Sequence, residues 1–191
     1  YSGSTTGSVF DAVSRQLQRW RWIPELRFVT DYYREPGYVQ ALAASVREHW
    51  QARGRGERLL LSFHGIPGRY LIDGDPYYCQ CQVTARLLRE ALGVADDELF
   101  VTFQSRVGRE PWLQPYTDRT LVEWAKSGVR RVDVLCPGFS IDCLETLEEI
   151  AAQNAEAFEH AGGERLSYIP ALNHRADHVE TISRLIIRQM G

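Results

Sequence analysis

The chain has 191 residues, 22 Lys and Arg against 25 Asp and Glu, a formal charge of −3, and a composition 44% hydrophobic and 25% charged. That balance excludes wholesale disorder and gives no basic footprint for nucleic acid or a polybasic tail for lipid. No uncharged apolar run has the length to span a bilayer, and four cysteines are too few for a disulfide scaffold. What is left is a globular domain of cytosolic type with a core of its own. The chain opens at Tyr1 and its only Met is Met190, which reads either as a processed start or as a segment of a longer protein.

Ser4, Thr5 and Thr6 precede Val9, Val13, Leu17 and Trp20, apolar positions spaced for one face of a helix with hydroxyls to cap it. Pro24 closes that helix, and Leu26–Val29 reads as a short strand. After Pro36, helical spacing returns at Val39, Leu42, Ala43 and Val46, ending in the Gly-rich Arg53–Gly56. Leu59–Phe63 is a compact apolar run, the mark of a strand buried on both faces, and His64–Gly68 breaks it into a loop. Asp75-Pro76 starts a helix whose inner face is Val83, Leu87, Leu88 and Leu92. Leu99–Phe103 is the next strand, and a long polar loop with two prolines follows. Thr117 or Asp118 caps a helix through Leu121, Val122 and Trp124 that stops near Gly128. Val132–Cys136 is a strand turned by Pro137-Gly138, and a helix is expected from about Asp142 to Ala161. A last strand, Leu166–Ile169, leads through Pro170 and Asn173 into a terminal helix over about 175–190 with Val179, Ile182, Leu185 and Ile186.

Strands alternating with helical segments imply a three-layer αβα fold, doubly wound and Rossmann-like, around a mostly parallel sheet of about four to five strands. Ligands of such sheets bind at the carboxyl ends of the strands. Three loops there, 62–68, 104–117 and 137–145, hold unusual chemistry.

His64 follows a buried strand and is flanked by Gly65 and Pro67. Its imidazole suits a proton acceptor or a metal ligand near neutral pH, and equally a histidine hydrogen-bonded in a structural turn. Asp142, Glu145, Glu148 and Glu149 form an acidic run in which Glu145 and Glu149 share a helical face. It reads either as a solvated first turn favoured by the helix dipole or as a row of donors for Fe²⁺, Mn²⁺, Co²⁺ or Zn²⁺. Phe103-Gln104-Ser105-Arg106, with Pro111-Trp112-Leu113 and Pro115-Tyr116, suits a flat apolar ligand bearing carboxylates, or a surface loop stapled by its own Trp. Cys79 and Cys81, and Cys136 and Cys143, lack zinc-ribbon or thioredoxin spacing. His174 and His178 are a weak i, i+4 metal pair without acidic or thiol company. The chain has no Walker motif, dinucleotide fingerprint or nucleophile elbow.

Together, Ser62–Pro67, Gly74–Tyr77, Phe103–Arg106 with Pro111–Leu113, and Pro137–Phe139 with Asp142–Ile150 resemble the ferrochelatase family, as does Tyr1–Ser8, a segment that normally lies mid-chain. The resemblance covers essentially the whole chain, is highly specific in combination, and is closest to proteobacterial members. It implies a class II chelatase-like domain over 1–191, the carboxyl-terminal half of a two-domain enzyme, with the terminal helix packing on the amino-terminal half. It implies insertion of Fe²⁺ into protoporphyrin IX, the last step of haem synthesis, in a cytoplasmic enzyme of the lyase class. The family's active-site histidine falls on His64, its essential glutamate on Glu145, and the continuing acidic line on Glu149. Those three residues are the expected metal side, and His64 and Glu145 the catalytic pair. Gln104, Ser105, Arg106 and Trp112 match the loop lining the porphyrin.

Two positions depart from the family pattern: Gln153 stands where members often carry another acid, and Cys143 where many carry a second histidine, so a proton relay through that histidine has no counterpart here. The implied partners are protoporphyrin IX, Fe²⁺ as substrate and the amino-terminal domain, with no nucleic acid and with room for peripheral membrane contact. No tightly bound cofactor is expected. A [2Fe-2S] cluster is not expected either, because C-x-C alone does not supply four ligands. Two readings compete with this one: a non-catalytic module binding a metal or tetrapyrrole, and a chelatase for coproporphyrin or cobalt.

Overall fold

A computed structural model describes residues 1–190. Its strands are β1 (Arg58–His64), β2 (Leu99–Gln104), β3 (Arg131–Leu135) and β4 (Arg165–Ile169). They form one parallel sheet in the order β2-β1-β3-β4. The helices are α1 (Ser8–Leu17), α2 (Pro36–Arg53), α3 (Gly68–Ile72), α4 (Tyr77–Leu92), α5 (Thr117–Lys126), α6 (Leu144–Leu147), α7 (Ala155–His160) and α8 (Ala176–Met190). This is the expected doubly wound α/β architecture.

The layers follow from alternation along the strands. Leu59, Leu61 and Phe63 of β1 point to one face, where Leu42 and Val46 of α2 and Ala85 and Leu88 of α4 cover them. Leu60 points to the other face and joins Val132 and Val134 of β3, Leu121 and Ala125 of α5 and Phe158 of α7. With both faces covered, the strands are mainly apolar, with single buried polar residues such as Ser62 and Asp133 among them, which is why the sequence exposes them so clearly. Terminal helix α8 packs on α2, closely enough that a Cβ on Gly37 would lie 2.5 Å from Thr181 Oγ1.

The order 2-1-3-4 makes the chain leave β1 toward one edge and β3 toward the other. That topological switch opens a crevice beyond the carboxyl ends of those two neighbours. The crevice is bounded by His64 at the end of β1 and by residues 136–143 after β3. Among the described residues no helix is long and apolar enough to cross a membrane.

Three expected elements differ. Leu26–Val29 forms no strand and pairs with neither edge of the sheet, β2 or β4. The segment is held instead by Arg27, which bonds the Gln189 carbonyl and Glu25, and by an edge contact of Phe28 with Phe10 at 5.2 Å. The first helix does form, after a π-helical turn over Gly3–Gly7. Ser2 caps that turn, α1 itself follows Gly7 with no side-chain cap from Ser4, Thr5 or Thr6, and none of its residues is buried. The expected helix from Asp142 to Ala161 is broken into α6, a π-helical segment over Glu149–Asn154, and α7. The Gln153 amide reaches the Glu148 carbonyl five residues back, and the buried Asn154 side chain occupies the Glu149 carbonyl. A side chain satisfying that carbonyl stabilises the wider turn. Thr117 opens α5 but turns inward rather than capping it.

Gly65 couples β1 to β2 by proximity. Its N–H donates to the Gln104 carbonyl at 2.8 Å, and a Cβ there would meet that oxygen at 2.9 Å and the Trp112 ring at 3.1 Å. Gly65→Ala is therefore expected to destabilise the chain by about 1–3 kcal/mol in a denaturant melt, as overpacking does; an unchanged midpoint would refute this reading of the turn.

Candidate active site

His64 ends β1 between two aromatic rings, with centroids 6.3 Å from Trp112 and 6.2 Å from Phe139. Its Nδ1 lies 2.6 Å from the Gly65 carbonyl oxygen. A carbonyl only accepts, so Nδ1 carries a proton and Nε2 is the nitrogen left for a proton or an ion.

The next feature lies beneath the surface. Ser62 of β1 is fully buried and donates to Gln104 Oε1 at 2.6 Å, and the buried Cys136 thiol points to the same oxygen at 3.4 Å. Hydroxyls of Ser62, Thr117 and Thr102 continue the network at 2.8 and 2.9 Å. Gln104, only 3% exposed, spends its amide N–H on the backbone carbonyl of Glu145 at 2.6 Å. One side chain thus joins the ends of β1, β2 and β3 to the turn carrying the acid.

Glu145 sits in the first turn of α6, where the helix dipole favours a carboxylate. The Cys143 thiol and the residue's own backbone N–H bond to it, and with the nearby His64 they hold the carboxyl below its usual range. The Cys143 thiol is pushed up by partial burial and by that same carboxylate. Cys143 also caps the turn reciprocally with Thr146.

The other acids have different surroundings. Glu149 accepts from the Ser105 N–H at 2.7 Å and from its hydroxyl at 2.5 Å, clasping a residue held at φ 63°. Glu148 is exposed and meets only the Gln153 amide, at 3.3 Å. Asp142 faces inward. Burial alone would raise its pKa, but bonds from Tyr168, Asn173, the Ala171 N–H and Thr146 outweigh that and hold it below the ordinary value.

His64, Ser105, Arg106, Glu145, Glu148 and Glu149 line one cleft of about 700 Å³, and Gln104 borders it from behind. The structure thus brings the sequence-selected histidine and glutamate to one wall. It does not bring His64, Glu145 and Glu149 into a closed metal cage: among the described residues no three His, Cys, Asp or Glu side chains are grouped to hold an ion. Arg106 is engaged by Asp118 at 2.6 Å and stacks on Tyr116. The Trp112 indole N–H is buried without a partner. A separate cavity of about 260 Å³, walled by Tyr32, Tyr38, Tyr77 and Phe63, lies behind Pro137-Gly138 and contains no facing base and acid. His174 and His178 form no pair: His174 precedes α8 and is exposed, and the buried His178 bonds the Asn173 carbonyl at 2.9 Å.

Sequence reasoning missed the inward role of Asp142 and its partners Asn173 and Tyr168. Only the turn-forming Pro170–Asn173 stretch hinted at them. It also missed Phe139 as the second wall of His64, although Phe139 lies in a motif read for other reasons.

A family model described as Ferrochelatase matches residues 1–190. A protein named ferrochelatase from Nitrosococcus oceani is 59% identical over 186 residues, covering 97% of this chain and 50% of its own length. Its namesake from Thioalkalivibrio sulfidiphilus is 57% identical over 190 residues, 100% of this chain and 52% of its own length. The one from Hydrogenovibrio crunogenus is 56% identical over 189 residues, 99% of this chain and 50% of its own. The chain spans about half the length of the curated relatives it matches.

Glu149→Ala leaves Ser105 without its clasp. The expected outcome is faster amide exchange at Ser105 and a stability loss of about 0.5–1.5 kcal/mol, the net worth of a lost hydrogen bond at a half-buried site; exchange at the wild-type rate would refute the clasp.

Proposed function

The chain belongs to the ferrochelatase family, and from that premise we propose that the protein containing it inserts ferrous iron into protoporphyrin IX to form protohaem. The observation that supports this reading is that His64 and Glu145 line one cleft beyond the carboxyl ends of β1 and β2.

The reaction must remove two pyrrole protons and strip water from the incoming ion. An imidazole whose Nε2 is free is placed to accept a pyrrole proton. A carboxylate held ionised in a helix's first turn attracts the cation without a proton to displace. Glu148 and Glu149 extend negative charge along the cleft wall, which concentrates cations there. On this reading Fe²⁺ is a passing substrate, and an open row of carboxylates suits it better than a closed cage. Trp112 and Phe139 flank His64 with aromatic surface for the macrocycle, and Ser105 and Arg106 stand at the rim for its carboxylates. Gln104 serves the porphyrin indirectly, by holding the turn of Glu145.

We include no iron–sulfur cluster. Cysteine ligands bind as thiolates, and burial pushes Cys81 up to about 12 and raises Cys136 as well. The domain reading is of one wall, with the other wall in the remaining half of the protein. The apolar side chains left exposed on α1 and the following segment, Phe10, Trp20, Trp22 and Ile23, and on α8, Ile186 and Ile187, suit burial there. We place the whole enzyme in the cytoplasm, with room for peripheral contact at a membrane.

In the full-length protein, His64→Ala and Glu145→Gln should each slow metal insertion, read from porphyrin absorbance, by at least about 100-fold, the lower end for a positioned acid–base group. Near-wild-type turnover with a retained fold in either would overturn the assignment. The chain alone, titrated with protoporphyrin IX and Zn²⁺, should shift the absorbance on binding without yielding the metalated spectrum. Turnover by the chain alone would show that one wall suffices.

A further inference from the structure

We propose that Asp142 is a positioning residue, clamped to Asn173 so that the turn beside it presents Glu145 to the cleft, and is withheld from the metal itself. This rests on the function proposed above. By sequence Asp142 passes for one more acid in the run with Glu145, Glu148 and Glu149. In the fold both of its oxygens are taken. Oδ1 accepts from the Tyr168 hydroxyl at 2.6 Å, the Ala171 N–H at 3.1 Å and the Thr146 hydroxyl at 3.2 Å, and Oδ2 accepts from the Asn173 amide at 2.7 Å. A cation would have to strip those donors before it gained an oxygen.

Asn173 completes the clamp. Its side-chain oxygen accepts the Asp142 backbone N–H at 2.9 Å, so the two residues exchange a pair of bonds. Its own N–H donates to the Ser140 carbonyl at 2.9 Å. Its backbone sits at φ 48°, a conformation Asn tolerates better than most residues with a Cβ. The end of β4 is thereby fastened to the loop after β3 on both sides of Asp142.

The consequence falls on Glu145. Thr146, bonded to the Asp142 carboxylate, also accepts the Cys143 N–H at 3.0 Å, which sets the first turn of α6. Gln104 holds the Glu145 carbonyl from the sheet side. The acid is therefore fixed between two internal anchors, one at the end of β2 and one at the end of β4. Side chains that orient a ligating group in this way act through it rather than on the substrate.

The test uses Asp142→Asn, Asn173→Asp and the reciprocal double variant in the full-length protein. Asp142→Asn sets two amide N–H groups against each other, Asn173→Asp sets two carboxylates against each other, and the swap restores a donor facing an acceptor. Each single variant is expected to lower kcat for metal insertion by about 10–100-fold, the usual effect of removing an orienting partner. KM for the porphyrin should stay unchanged, amide-exchange protection over residues 143–147 should fall, and the swap should recover most of both losses. Wild-type kcat in the single variants, with or without lost protection, would overturn the proposal, as would a swap no better than either single. If the wild-type protein inserts no metal, the functional reading falls, and the proposal falls with it as regards the reaction. The exchange data then decide separately whether the clamp itself exists.

Discussion

The amide of Gln104 accepts from Ser62 and Cys136 and donates to the Glu145 carbonyl, and the geometry of the cleft depends on that arrangement. Parallel strands end with backbone groups and inward side chains that need partners where the helices no longer cover them. Here the ends of β1, β2 and β3 meet their needs collectively, through a buried amide and buried hydroxyls. Each member left unpaired would cost about 1–3 kcal/mol, so the network is stable only as a whole. Its last free donor points at the turn after β3, and that turn therefore has one favoured place. The position of the acid is a consequence of satisfying the core.

The same accounting explains why four neighbouring carboxylates do not behave alike. Asp142 and Glu149 face protein donors, and those donors fix loops: the 137–143 turn for one, and Ser105 in its left-handed conformation for the other. Glu145 and Glu148 face the cleft with fewer protein partners. The π-helical segment contributes to this division, since the wider turn sets Gln153 against Glu148 five residues earlier and leaves Glu149 toward Ser105. Like charges crowded on a regular helix would repel. Distributing them between internal clamps and an open cleft relieves that repulsion and keeps negative charge where a cation would arrive.

Much of the fold was legible because parallel strands covered on both faces are mainly apolar runs, and Leu59–Phe63 and Val132–Cys136 stood out for that reason despite Ser62 and Asp133. His64 was legible as a strand-end residue between Gly and Pro, and Glu145 as an acid at a helix start. Leu26–Val29 misled because β-propensity depends on context, and here Arg27 and Phe28 tie the segment to the Gln189 carbonyl, Glu25 and Phe10 rather than to a neighbouring strand. The unbroken helix from Asp142 to Ala161 misled because periodicity is blind to Asn154 occupying a backbone carbonyl. Gln104 looked like a rim residue from its place in a loop motif, and only the packing of Ser62 and Cys136 around it reveals a buried role. The α1 stripe was read correctly as amphipathic, but amphipathicity does not say what covers the apolar side, and among the described residues it is covered only in part, by contacts such as Phe28 on Phe10.

That last point bears on how the proposed activity divides between the two halves. The anchors that orient Glu145 and His64 all lie inside this chain: the Gln104 network, the Asp142–Asn173 pair, the Cys143 cap and the Gly65 carbonyl. The base and the acid are therefore set without help from an opposing wall. The chain lacks enclosure, because the cleft is open to water on the side away from the sheet. In water, charges at contact distance attract by only about 1 kcal/mol, against several in a water-poor site. On the proposed reading the other half need not contribute a proton acceptor here. Its part is to close over the macrocycle and remove water, so that a preset histidine and carboxylate act at the strength their positions allow.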